Sequence, residues 1–230
     1  MNLFRTPFFL PKFYPSLLWR VPTENKELYL TFDDGPVDGP TEFVLEELKR
    51  FNAKATFFCI GDNVRKHPDV FEKVIAGGHA IGNHTFNHLK GWSTPLQRYL
   101  ENVKECEAQF KVAGYQFPVE GETPPASSLP PRVSTNVQYF RPPYGRITTK
   151  QIGALKDQYR IVMWDVLTYD YSKNISRQNC LNGSINAARA GSIIVFHDSL
   201  KAERNLTHVL PKFLEHFASK GYEFKSLSNA

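Results

Sequence analysis

From residue 28 onward, short runs rich in β-branched and aromatic residues alternate with longer stretches whose apolar residues recur at helical spacing. That alternation restricts the chain to repeated βα units wound around a parallel sheet or barrel, an α/β class. Residues 28–32 (LYLTF), 55–61, 79–85, 139–141, 160–166, 192–197 and 222–224 read as strands. Between them, Val44, Leu48 and Phe51 mark a helix that Pro40 and Thr41 start, and residues 62–78 give helical material interrupted near Pro68 and stopped by Gly77 and Gly78. Leu96, Leu100, Val103 and Phe110 form a stripe ended by Gly114. Further helices are expected at 147–158, at 183–189, and over the stretch carrying Leu206, Leu210, Phe213 and Phe217.

A length of 230 residues suits a single domain of this class. With 41% hydrophobic and 22% charged residues, the composition fits neither disorder nor a membrane bundle. The formal charge of +5 comes from lysines and arginines scattered among acids, with no nucleic-acid reading module. No nucleic-acid partner is therefore expected, whereas an anionic substrate is compatible. Cys59, Cys106 and Cys180 are widely spaced and odd in number, which predicts buried free thiols. The apolar start is broken by Arg5, Pro7, Pro11, Lys12 and Pro15, so it makes neither a signal-peptide core nor a transmembrane segment. Residues 1–27 read as an aromatic arm packed on a domain spanning 28–230. Residues 115–138, with five prolines and no periodicity, read as a loop inserted into it.

TFDDGP at 31–36 places two carboxylates at the C-terminal end of a strand, where βα barrels build active sites, although such a segment also makes ordinary turns. His84 and His88 stand at i and i+4, which puts both on one side of a helical turn. Two imidazoles and one carboxylate would leave positions open on a metal, as catalysis requires. Such an ion lowers the pKa of bound water from about 15.7 towards about 7 and polarises a carbonyl, the two needs of amide hydrolysis. If the strand persists, Asp33 and Asp34 point to opposite sides, so one can bind metal while the other takes a proton. His197 closes a buried apolar run at the same rim, either to protonate a leaving amine or to bond the backbone. His67, His208 and His216 match no ligand set and read as surface residues, and His79 as structural.

Taken together, TFDDGP, HTFNH, FRPPYG, WDVLTYDY and IIVFH resemble, in order and spacing, the motifs of the polysaccharide deacetylase family, or NodB homology domain, across residues 28–225. The resemblance implies a distorted (β/α) barrel, usually of seven parallel strands, and hydrolysis of N-acetyl groups on aminosugar polymers or oligomers. By position it implies Asp33 as general base, Asp34, His84 and His88 as metal ligands, and His197 as general acid. It further implies that Arg141 orients the base, that Asp170 pairs with His197, and that the Tyr144 N–H helps hold the oxyanion. The family's fourth motif reads D-x-x-D-W, whereas this chain has Leu167-Thr168-Tyr169-Asp170-Tyr171. Asp165 is the candidate replacement for the missing first acid. Tyr171 offers an aromatic wall to a sugar, and Val195, in place of the usual leucine, an apolar pocket for the acetyl methyl.

The donor set is expected to hold zinc, with cobalt, nickel or iron also suited to it, and the substrate is expected to be a carbohydrate containing an N-acetylated aminosugar. Rival readings are a deformylase or deacetylase of a small or lipid-linked aminosugar, and a silent carbohydrate-binding barrel. Lacking a recognisable signal peptide, the sequence suggests a cytoplasmic location, with periplasmic or cell-surface association as the alternative because peptidoglycan and chitin lie outside the cytoplasm. Oligomeric state has no sequence signal.

Overall fold

The computed structural model describes residues 3–115 and 138–229. Its strands are β1 (Glu27–Asp33), β2 (Thr56–Cys59), β3 (Ala80–Asn83), β4 (Gln138–Phe140), β5 (Tyr159–Ile161), β6 (Val166–Leu167), β7 (Ile193–His197) and β8 (Glu223–Lys225). The helices are α1 (Leu10–Phe13), α2 (Pro40–Arg50), α3 (Gly61–Lys66), α4 (Pro68–Ala76), α5 (Leu96–Val112), α6 (Thr149–Leu155), α7 (Arg177–Ala187) and α8 (Glu203–Ala218). Seven parallel strands run in the order β5-β4-β3-β2-β1-β7-β6 and curl into a half-barrel, while the short β8 pairs with the start of β1. This is the distorted barrel that the sequence motifs imply.

Strand β1 shows how the pleat sorts side chains. Leu28, Leu30 and Phe32 are fully buried among residues of α2 and α8, with Phe32 stacked 5.1 Å from Phe57 and 5.8 Å from Phe196. Burying a side chain of this kind contributes about 1.5–3 kcal/mol. The alternate residues Tyr29, Thr31 and Asp33 therefore face the other way, into the barrel, which delivers Asp33 to its rim.

The run expected as one strand at 160–166 is two, β5 and β6, separated by residues 162–165. The reason lies in the amino-terminal arm. Leu18 N–H donates to Ile161 O and Met163 N–H to Leu18 O, at 2.9 and 2.7 Å. Thr6 N–H donates to Asp165 O and Leu167 N–H to Phe4 O, at 2.8 and 2.9 Å. The arm thus satisfies backbone groups that a continuous strand would pair with sheet neighbours, and it spans the gap between the two ends of the curled sheet. The arm also holds α1, which the apolar pattern did not predict.

Helix α7 begins six residues before its expected start, because Ser176 caps it by accepting the Asn179 N–H at 3.2 Å and its first turn is polar. The three cysteines are buried and free, as expected. His79 lies just before β3, accepts the Ala55 N–H at 3.3 Å, and is pushed down to about 4 by burial, then by the Lys54 charge. Among the described residues no helix is long and apolar enough to cross a membrane. Of the proline-rich insertion expected at 115–138, residues 116–137 lie outside the described ones, and Gln138 already begins β4.

Candidate active site

A cavity of about 920 Å³ opens where β1 and β7 end and where the chain leaves β3, β4 and β6. Asp33, Asp34, His84, His88, Tyr144, Tyr171, Val195 and His197 line it. Arg141 and Asp170 stand behind this lining, fully buried. All ten residues singled out from the sequence are therefore brought together.

Asp33 ends β1, directly beside His197 of β7 in the sheet register. Its Oδ1 accepts from Arg141 Nη1 at 2.6 Å. The guanidinium is itself held by Thr31 Oγ1 (2.7 Å), Met163 O (2.9 Å) and Val162 O (3.3 Å), and lies 4.1 Å from the Phe58 ring. A planar fork with this many fixed contacts allows Asp33 one position.

Asp34 departs from the expectation that it would point away from Asp33 along a continuing strand. β1 ends at Asp33, and Asp34 adopts φ 80°, so both carboxylates enter the cavity. Asn63 of α3 holds the turn by donating to Asp34 O at 2.6 Å. Asp198, the residue after β7, holds it from the neighbouring strand end, a role that sequence reading missed. Its Oδ1 accepts the Gly35 N–H at 3.0 Å, its Oδ2 the Thr41 hydroxyl at 2.7 Å, and its own N–H donates to Asp33 O at 3.1 Å. Gly35 must lack a Cβ here, since one would stand 2.0 Å from Asp198 Oδ2. Burial pushes Asp198 up to about 8 even with these hydrogen bonds.

His84 and His88 do not share a helical turn. They lie on a loop after β3 in which Thr85 and His88 have φ of 64° and 56°. Asn83 Oδ1 accepts the Thr85 N–H at 2.8 Å, and Asn102 of α5 accepts from Phe86 and Asn87 at 3.0 and 2.9 Å. His84 Nδ1 donates to Arg141 O at 2.8 Å, which leaves Nε2 unprotonated and aimed at the cavity. Burial pushes His84 down to about 4 and keeps it neutral.

One ligand atom from each of Asp34, His84 and His88 lies within 4.8 Å of the other two. Asp34 Oδ1 is buried without a hydrogen-bond partner, although His88 Nε2 and His84 Nε2 stand 3.2 and 3.7 Å away. A buried carboxylate oxygen lacking a hydrogen bond between two imidazole nitrogens fits a shared cation, so these residues suit a divalent metal.

His197 Nδ1 and its backbone N–H each donate to an Asp170 oxygen at 2.7 Å. Burial alone would lower the histidine pKa, but the Asp170 charge and hydrogen bond, helped by Asp34 and Asp33, outweigh it and push His197 up to about 9. Any stability this shift contributes is present in full below the ordinary value of about 6.5 and is lost as pH rises through about 9. Asp170→Asn removes the largest raising influence, so the pKa should fall from about 9 towards the ordinary histidine value. The alkaline limb of a pH–kcat profile should move down with it, and an unmoved limb would detach His197 from the rate.

Asp165 does not replace the missing acid of the fourth motif. Its carboxylate faces Ser192 Oγ (2.7 Å) and Arg189 (3.2 Å) instead of the cavity. Leu167, at the vacated position, lies beside Val195 in the register and lines the cavity with it, which widens the apolar wall. Tyr171 stands edge-on to His197, ring centroids 4.8 Å apart.

Residues 20–137 match the family model described as polysaccharide deacetylase. The chain is 31% identical over 209 residues to a peptidoglycan-N-acetylglucosamine deacetylase of Bacillus cereus, covering 90% of this chain and 68% of the relative. It is 32% identical over 180 residues to a chitooligosaccharide deacetylase of Azorhizobium caulinodans, covering 78% and 77%. The crystal structure of the Bc1960 peptidoglycan N-acetylglucosamine deacetylase superposes with a TM-score of 0.81 at 29% identity, covering 97% of this chain and 96% of that one. Strand order, the cavity at the strand ends and these relatives agree, and the chain belongs to the polysaccharide deacetylase family.

Proposed function

We propose that this protein is a metal-dependent hydrolase that removes N-acetyl groups from an N-acetylglucosamine-containing poly- or oligosaccharide of the peptidoglycan or chitin kind. The observation that carries the reading is a pair of proton-handling groups, each with its own oppositely charged partner, beside the Asp34–His84–His88 triad. Asp33, paired with Arg141, takes the proton of the attacking water. His197, kept protonated by Asp170, gives its proton to the departing amine nitrogen. The Tyr144 N–H donates to the oxyanion as the carbonyl becomes tetrahedral. A divalent ion held by Asp34, His84 and His88, zinc being the first choice and cobalt, nickel or iron also suited, would supply Lewis acidity to the carbonyl and the water. Val195 and Leu167 receive the acetyl methyl, and Tyr171 presents its ring to the sugar.

A screen for acetate and formate release from peptidoglycan, chitin oligomers, N-acetylated monosaccharides and lipid-linked aminosugars, with metals supplied one at a time, tests this reading. Acetate from polymers or oligomers is expected; none from any of them would sink it. Formate or release confined to lipid-linked sugars would favour a second reading, for which the exposed Phe8 and Phe13 of the arm speak.

Metal dependence has its own check. Chelation should abolish turnover and added metal should restore it, whereas His84→Ala should bind less than a tenth of the metal and stay inactive at any metal concentration. Stoichiometric metal in that variant, measured by elemental analysis, would remove His84 from the ligand set.

A further inference from the structure

The cavity carries charges that the proposed chemistry does not use. Lys90, Arg146 and Lys201 all line it. Among the described residues none of the three pairs with a carboxylate. Among the described residues the only carboxylates lining the cavity are Asp33, which faces Arg141, and Asp34, which faces the two histidines. Two of the cations are also held in place. The Arg146 guanidinium lies 5.0 Å from the centre of the Trp92 ring, itself fixed by donation from Nε1 to Ile147 O at 3.1 Å. Lys201 Nζ lies 5.1 Å from the centre of the Tyr171 ring. Cations resting on aromatic faces lose less freedom when an anion arrives, and a cavity walled by protein strengthens their field.

A neutral sugar chain filling this cavity would strip water from three unpaired cations and give them no counter-charge. We propose that Lys90, Arg146 and Lys201 form an anion-accepting rim for a carboxylate on the sugar next to the acetamido sugar being hydrolysed. The preferred substrate is then an acidic aminosugar polymer. The inference rests on the deacetylase reading above and adds the substrate's charge to it.

The test compares kcat/KM for three oligosaccharides of equal length: a neutral N-acetylglucosamine oligomer, a peptide-free alternating oligomer of N-acetylglucosamine and N-acetylmuramic acid, and the latter with its lactyl carboxylates converted to amides. A fourth carries stem peptides on amidated lactyl groups. The wild type should prefer a carboxylate-bearing oligomer over its amidated counterpart by about ten-fold at low ionic strength. That ratio should collapse towards one in Arg146→Gln/Lys201→Gln and at high salt. Preference for the peptide-free acid places the recognised carboxylate on the lactyl group, and preference appearing only with peptides places it there; either supports the rim. A ratio near one in the wild type, or a preference that survives the double substitution, overturns it. Hydrolysis of the neutral oligomer without any preference would defeat the rim and leave the deacetylase reading standing. Should no oligomer release acetate, titration calorimetry of the same oligomers with wild type and double variant decides the rim by the same ratio in affinity.

Discussion

Replacing Asp33 with Asn is expected to lower kcat by about a thousand-fold, within the range typical for loss of a general base. The amide keeps the shape of the carboxylate, and its oxygen still accepts from Arg141 Nη1 across the present 2.6 Å. Proton affinity is what disappears. Because Asp33 is outside the Asp34–His84–His88 triad, metal content should equal that of the wild type. Single-turnover kinetics together with elemental analysis separate the outcomes. Full activity would remove Asp33 from the chemistry, and lost metal would mean that it ligates instead.

The second large effect concerns stability. Arg141→Met should destabilise the protein by about 3–5 kcal/mol, because it leaves the Asp33 carboxylate buried at the barrel rim without its guanidinium. For a chain of this size that corresponds to a fall in Tm on the order of 10 °C. Arg141 also serves three further acceptors, Thr31 Oγ1, Val162 O and Met163 O, all of which lose a donor. Combining Arg141→Met with Asp33→Asn should recover part of the loss, since no charge is then stranded. A Tm change under about 2 °C in the single variant, or strict additivity in the pair, would show that the ion pair does not stabilise the rim.

The two variants draw on information that was unevenly readable in the chain. Asp33, Asp34, His84 and His88 announce themselves because strand ends and short spacings are local properties. How they converge is not local. The histidines meet through a loop with two residues at positive φ, and that loop keeps its shape because Asn102, eighteen residues beyond His84, accepts two of its N–H groups from α5. Asn102 interrupts the apolar character of a helix that is otherwise read from Leu96, Leu100, Val103 and Phe110, and a buried amide in such a setting was the available signal. Asp198 was also visible, as an acid following a buried apolar run, yet its task depends on Gly35 and Thr41 lying across the sheet from it. The break between β5 and β6 had no local sign, because the groups that take over their hydrogen bonds stand more than 140 residues earlier.

That last separation bears on the order in which the protein can assemble. Residues 4–21 leave the ribosome before any of the backbone they bind, which lies at 161–167 and 186–192. Loop closure over such distances comes at an entropic disadvantage until the intervening helices have condensed. The arm can therefore take up its native hydrogen bonds only once both ends of the sheet are in place, and it closes the gap between them. Whenever the arm is undocked, the outer edges of β5 and β6 are open templates for association with another copy, so the arm guards the half-barrel against pairing edge to edge.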